Sequence, residues 1–180
     1  NGNIIPDRTP KQRKNNTKFT FARYMFAFIR KRFGDLPVWK IAAAQRGMTD
    51  DNLIQSTNYK YLDEKGKILD MEGFQVSLGP LALPLNLRAT RDGTLVTITW
   101  DDLRDEPSAA PTDRMMVGIF YADYRNTFTL EKETGATRRD GKCEITLRDD
   151  DGEVCIHPFF ARADNTAFSE DKAITLPDTE

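Results

Sequence analysis

From about residue 84 onward the chain alternates apolar and polar side chains in short runs punctuated by turn residues, a pattern with period two that excludes a helical fold for this half. In "TLVTITWDD" (94–102), Leu95, Thr97 and Thr99 alternate with Val96, Ile98 and Trp100, and the second set forms the buried face. "LNLRAT" precedes it across the turn "RDG"; "RMMVGIFYADY", "NTFTLEKE", "KCEITLR", "EVCIHPFFARAD" and "KAITL" follow. Seven short strands in roughly ninety-five residues predict an immunoglobulin- or fibronectin-III-like sandwich over 84–180.

The preceding residues have a different texture. Residues 1–15 are polar, carry Pro6 and Pro10, and read as a flexible basic arm. Residues 16–83 read as a helical region with an extended linker. Asn15, Asn16 or Thr17 caps a first helix that runs to Phe33 and stops at Gly34. At 100° per residue, Phe19, Ala22, Met25, Phe26, Ile29 and Phe33 fall within an arc of about 120°, an ordinary core stripe. Almost opposite lie Phe21, Tyr24 and Phe28, with bases in the strips between. A second helix is expected over "PVWKIAAAQRG" (37–47). A third, capped by Thr49 or Asp50, covers "TDDNLIQSTNYKYL". "ILDMEGFQVSLG" (68–79) reads as extended chain, and "GPLALPLNL" (79–87) as a hinge. The expected class is α+β, a short helical region followed by an all-β sandwich.

Charge divides the chain at the same place. Residues 1–48 hold eleven Lys/Arg against Asp7 and Asp35, a net +9; the remaining fifteen bases and twenty-six acids give −11. Opposed halves of this kind suit an anionic partner for the basic end, or binding of one half by the other, within the chain or between copies. The basic patch comprises Lys11, Arg13, Lys14, Lys18, Arg23, Arg30, Lys31 and Arg32. No run approaches the length of a membrane span, and the bases separate two apolar faces rather than opposing one, so membrane insertion is not expected. The first eighteen residues contain no apolar signal-peptide core. Position 1 is not Met, which is consistent with a processed or trimmed chain, and the compartment stays open.

The layout resembles an uncharacterised family, a domain of unknown function from gut-dwelling Gram-negative bacteria. The residues that carry the likeness are "TPKQ…N…TKF" (9–19), the aromatic and basic helix, "GFQVSLGPL" (73–81), "DGTLVTITWDD" (92–102), "TDRMMVGIFYAD" (112–123), "TGATRRDGKCEITL" (134–147) and the final strand pair. The family pattern usually begins with a further glycine-rich segment, which this chain lacks. What the resemblance implies is a helical lead-in and a β-sandwich, with no active site to carry over.

Chemistry-bearing residues are few. His157 is the sole histidine, so a hydrolytic site has to be built around it. Cys155 lies two residues away on the same strand face, with a Cβ separation of roughly 6–7 Å; a core cysteine beside a half-buried histidine is the favoured reading, with Pro158 marking an edge or bulge. "RDDDGE" (148–153) lacks the ligand spacing of a calcium loop and reads as a hairpin turn. Cys143 and Cys155 are read as separate buried thiols. No metal, cofactor or small-molecule substrate is expected, and no catalytic residue is assigned. Trp100 is expected in the core. The loops 101–113 and 164–171 are expected to cluster at one end, with Phe168 either an anchor for a partner or a pin to the core. The predicted function is non-enzymatic: self-association or protein binding through Phe21, Tyr24, Phe28 and Phe168, as in a component of a surface or phage-derived assembly. The alternative is nucleic-acid binding by the basic arm and helix.

Overall fold

The computed structural model describes residues 9–122, 127–148 and 152–179, with the backbone alone at 14 and 15. Three helices come first: α1 (Pro10–Phe33), α2 (Val38–Gln45) and α3 (Asp50–Asn58), the last running into a 3-10 turn at Tyr59–Tyr61. Seven strands follow: β1 (Leu85–Asp92), β2 (Leu95–Asp101), β3 (Arg114–Tyr121), β4 (Phe128–Glu131), β5 (Lys142–Thr146), β6 (Val154–Ala161) and β7 (Ile174–Leu176). They form two antiparallel sheets, one ordered β1-β2-β5 and the other β4-β3-β6-β7. The class is therefore α+β.

α1 starts earlier than the sequence reading placed it. Thr9, not Asn15–Thr17, is the cap: its hydroxyl accepts from Gln12 N while the Gln12 side chain accepts from Thr9 N, and Pro10 fills the first turn. This reciprocal pair satisfies two amides that would otherwise lack partners. Positions 10–15 of the expected arm are therefore helical; positions 1–8 lie outside the described residues. The helix ends as expected, at Gly34 with φ 57°.

The sheets and helices make three layers. Val96, Ile98 and Trp100 of β2 and Cys143 and Ile145 of β5 meet Met115, Val117 and Ile119 of β3 and Ile156 and Phe160 of β6. The opposite face of the four-stranded sheet turns to the helices, where Met116, Phe120, Cys155 and Phe159 pack on Ala22, Phe26, Ile29 and Phe33. β3 and β6 are covered on both faces, so β6 is buried along its whole length. That corrects the expectation of a half-buried His157 on an edge strand. His157 is fully buried, and β6 lies between β3 and β7. Pro158 is tolerated there because its carbonyl, accepting from Lys172 N at 3.1 Å, faces the β7 side, where the ladder has already ended at Ile156↔Ile174.

The extended segment 68–79 and the start of the expected hinge are clamped. Asn58 holds Gln75 through both backbone groups, at 2.9 and 2.7 Å. Leu81 N donates to the Phe168 carbonyl at 3.1 Å. A Cβ on Gly79 would stand 2.0 Å from that same oxygen. Gly79→Ala is therefore expected to cost about 1–3 kcal/mol in urea denaturation, because backbone rather than a flexible side chain must yield; an unchanged midpoint would show the linker to be loosely seated. Phe168 is 1% exposed in this core, so of its two expected roles the structure gives it the pin and not the partner anchor. Its surroundings, Ala161 opposite in a β-bridge and the linker across its carbonyl, leave no face free.

Candidate functional site

Helix α1 has its carboxy-terminal half in the core and its amino-terminal half in solvent. Ala22, Met25, Phe26, Ile29 and Phe33 are buried as the stripe requires. From Pro10 to Phe21 no described side chain is buried and only Lys18 is half-covered. About 18 Å of helix therefore projects with almost no tertiary packing. Such a length is marginal in water on its own, so its capping box and its continuity with the buried half hold it. Phe19, the first member of the stripe, lies beyond the body's edge and is 45% exposed.

The three residues expected to form an interface are placed unequally. Tyr24 is 70% exposed and Phe21 45%. Phe21 is partly covered because the turn at 63–67 abuts the helix: Gly66, at φ 74°, has room for no side chain, since a Cβ would lie 2.6 Å from that of Phe21. Phe28 is half-buried on the core with the Arg32 guanidinium 4.5 Å over its ring. Tyr24 instead joins Phe19 across a cleft of about 1150 Å³ between α1 and α3, whose other apolar walls are Phe26, Met48 and Tyr59.

Bases surround this cleft. The Lys18 ammonium lies 4.2 Å from the centre of the Tyr59 ring, and the Arg23 guanidinium 5.8 Å from that of Phe19. Arg30 pairs with Asp50, at 3.7 Å, and with Asp51. Arg13 and Lys31 are exposed; the Lys14 side chain lies outside the described residues. Cations laid over rings keep their outward edges available to a carboxylate, while the ring faces they cover are closed to a stacking base. No described helix is long and apolar enough to cross a membrane.

A second constellation lies in the core. His157 Nδ1 stands 2.6 Å from Asp171 Oδ2, and His157 Nε2 lies 2.8 Å from the Met71 carbonyl and 3.4 Å from Cys155 Sγ. The sequence placed Cys155 and His157 on one strand face, near but not clearly in contact; their side chains close that gap, and the loop after β6 brings in Asp171. A carbonyl only accepts, so Nε2 carries a proton, and Nδ1 carries the other toward the carboxylate. Burial disfavours the charged ring, yet the hydrogen bonds to Asp171 and Cys155 and the carboxylate's charge outweigh it and lift the pKa to about 9. The group resembles a Cys-His-Asp nucleophile in composition, but its Nε2 has no lone pair to take the thiol proton, and Cys155 and His157 are fully buried. What it does is tie segments together. Asp171 Oδ1 also accepts from Val76 N and Ser77 N, each at 3.1 Å, so one carboxylate fastens the linker to β6.

Cys143 and Cys155 are free and buried, on different sheets. Burial pushes the Cys143 thiol up. The centre of the acidic turn, positions 149–151, lies outside the described residues. Near the two loops expected to cluster, Arg162, which precedes the second, donates to the Pro107 carbonyl of the first and pairs with Asp113 at 3.0 Å.

No protein-family model matches the chain, and no curated protein matches it. Among solved structures it is similar to one described as "Myokine structure", with 18% identity and a TM-score of 0.40, over 56% of this chain and 99% of that one. Similarity at that level bears on neither fold nor function.

Proposed function

We propose that this protein is a non-enzymatic interaction protein, binding an acidic protein surface through the projecting half of α1 and the cleft beside it. One observation carries the reading: a cationic, aromatic length of helix stands outside the body with none of its described side chains buried. Burying Phe19, Phe21 and Tyr24 would contribute several kcal/mol at about 25 cal/mol per Å², and the flanking bases would steer and orient the partner. A structural part of a surface or phage-derived assembly is a role of this kind. The sandwich is read as fibronectin-III-like: a three-stranded sheet facing a four-stranded one, with the chain changing sheets at β2–β3, β4–β5 and β5–β6, supports it. A helical lead-in before such a sandwich also suits the unassigned bacterial family that the sequence resembles.

Two binding assays test the function. Tyr24→Asp is expected to weaken binding of poly-L-glutamate by about tenfold or more, with rising salt weakening the wild type too. Salt-sensitive binding of a single-stranded oligonucleotide, with none of the acidic polymer, would replace this reading by the nucleic-acid one.

A further inference from the structure

The cleft beside α1 is a groove between two antiparallel helices. Arg30 of α1 meets Asp51 of α3 at one end, and Lys18 lies over Tyr59 at the other. On α1 the lining residues Asn16, Phe19, Arg23, Phe26 and Arg30 recur at alternating spacings of three and four. At 100° per residue they fall within an arc of about 80°, a seam along about 21 Å of helix. On the opposite wall Asn52 and Gln55 of α3, and Tyr59 just beyond it, repeat the spacing. Two such seams offer ridges and grooves to a third helix laid along them. Lys18 and Arg23 lie over rings and pair with no carboxylate among the described residues, whereas Arg30 is already paired with Asp50 and Asp51. The groove therefore holds two cations without a counter-charge.

We infer that this groove receives one acidic amphipathic helix of another protein. The inference rests on the proposed binding role of α1 and names the form its partner takes. Backbone hydrogen bonding decides that form. Both walls are helices whose amides and carbonyls are bonded internally, so an extended chain in the groove would find no ladder to join. A helix brings its own hydrogen bonds and presents only side chains. Size agrees with this. Half the girth of a four-turn helix, at a radius of about 5 Å, takes up about 800 Å³, within the cleft's volume of about 1150 Å³. The apolar stripe of such a helix meets Phe19, Tyr24, Phe26 and Met48, and carboxylates flanking the stripe meet Lys18 and Arg23. The described helices of a second copy do not fit: α1 is itself basic, and α2 and α3 bury their apolar faces in their own core.

Fluorescence-anisotropy titration with two synthetic peptides of about sixteen residues tests this. The first carries leucines at spacings of three and four with glutamates beside them. The second has the same composition with its leucines at alternate positions, which no helix gathers onto one face. The first is expected to bind about tenfold or more tightly than the second, and to gain helical circular dichroism as it binds. Tyr24→Asp on one wall and Asn52→Glu on the other, both at exposed positions, should each weaken its binding by about fivefold or more. Equal affinity for the two peptides, or none for either, overturns the inference, and so does binding of the first that Asn52→Glu leaves unchanged. In each of those cases poly-L-glutamate binding that Tyr24→Asp weakens keeps the role of α1 standing. A wild type that binds neither the peptides nor the polymer removes the two together.

Discussion

Arg138→Met is expected to lower the unfolding free energy by about 3–5 kcal/mol in urea denaturation at neutral pH. The guanidinium is fully buried. Its Nε donates to Asp113 Oδ2 at 3.0 Å, Nη1 pairs with Asp102 Oδ2 at 2.7 Å, and Nη2 donates to the Ala82 carbonyl at 2.7 Å. The same group lies 4.1 Å from the centre of the Phe160 ring. Methionine fills much of the volume but leaves two buried carboxylates short of a cation and one carbonyl without a donor. Asp102 keeps Arg104 and Asp113 keeps Arg162, which limits the loss. The sign of the pH dependence follows. Burial opposes ionisation of Asp102, but the hydrogen bonds from Arg104 and Arg138 outweigh it and hold its carboxyl well below the ordinary 3.8. That contribution is present above 3.8 and is lost as pH falls below it, so the gap between wild type and variant should narrow on acidification. A loss under about 1 kcal/mol at neutral pH would show the cluster to be no better than a packed apolar core, the alternative known for buried ion pairs.

Stability should also fall on the alkaline side, and His157 should account for it. A folded pKa of about 9, above the ordinary 6.5, means that the imidazolium's contribution is complete below 6.5 and drains away as pH rises through 9. The amount at stake is about 3 kcal/mol. His157→Gln removes the titrating group, and it can satisfy at most part of what the ring held: the Asp171 carboxylate and the Met71 carbonyl. The variant should be less stable at pH 6.5 and should lack the wild-type decline between 6.5 and 9. Taking the difference between the two proteins isolates the histidine's share. Parallel curves would mean that the buried ring carries no charge in the folded protein.

Both expectations concern residues whose importance the chain does not advertise. Arg138 sits in "ATRRDG" beside Arg139, its chemical equal, which is exposed. Which of two adjacent arginines enters the core depends on how the turn before β5 meets the Asp102 and Asp113 loops. Asp171 was similarly one acid among several in "DNTAFSED", and only the return of the loop onto β6 sets it 2.6 Å from His157. The start of α1, by contrast, was readable: Thr9, Pro10 and Gln12 have the spacing of a capping box, and Pro6 and Pro10, taken together as marks of an irregular arm, obscured it.

Local rules settled the strands. Alternation put Val96, Ile98 and Trp100 on one face and left Leu95 out, and all four positions agree with the structure, because a strand's side-chain period is independent of what packs on it. The stripe of α1 was legible for the same reason. Where that stripe ceases to be covered was not: Phe19 and Phe26 lie seven residues apart on nearly one line, yet one is exposed and the other 4% exposed, since the body ends between them. Periodicity specifies direction around an element. How far along it the neighbouring layer extends, which charges that layer encloses, and which leucine it leaves in water are decided by contacts between residues distant in sequence, and no local pattern encodes those.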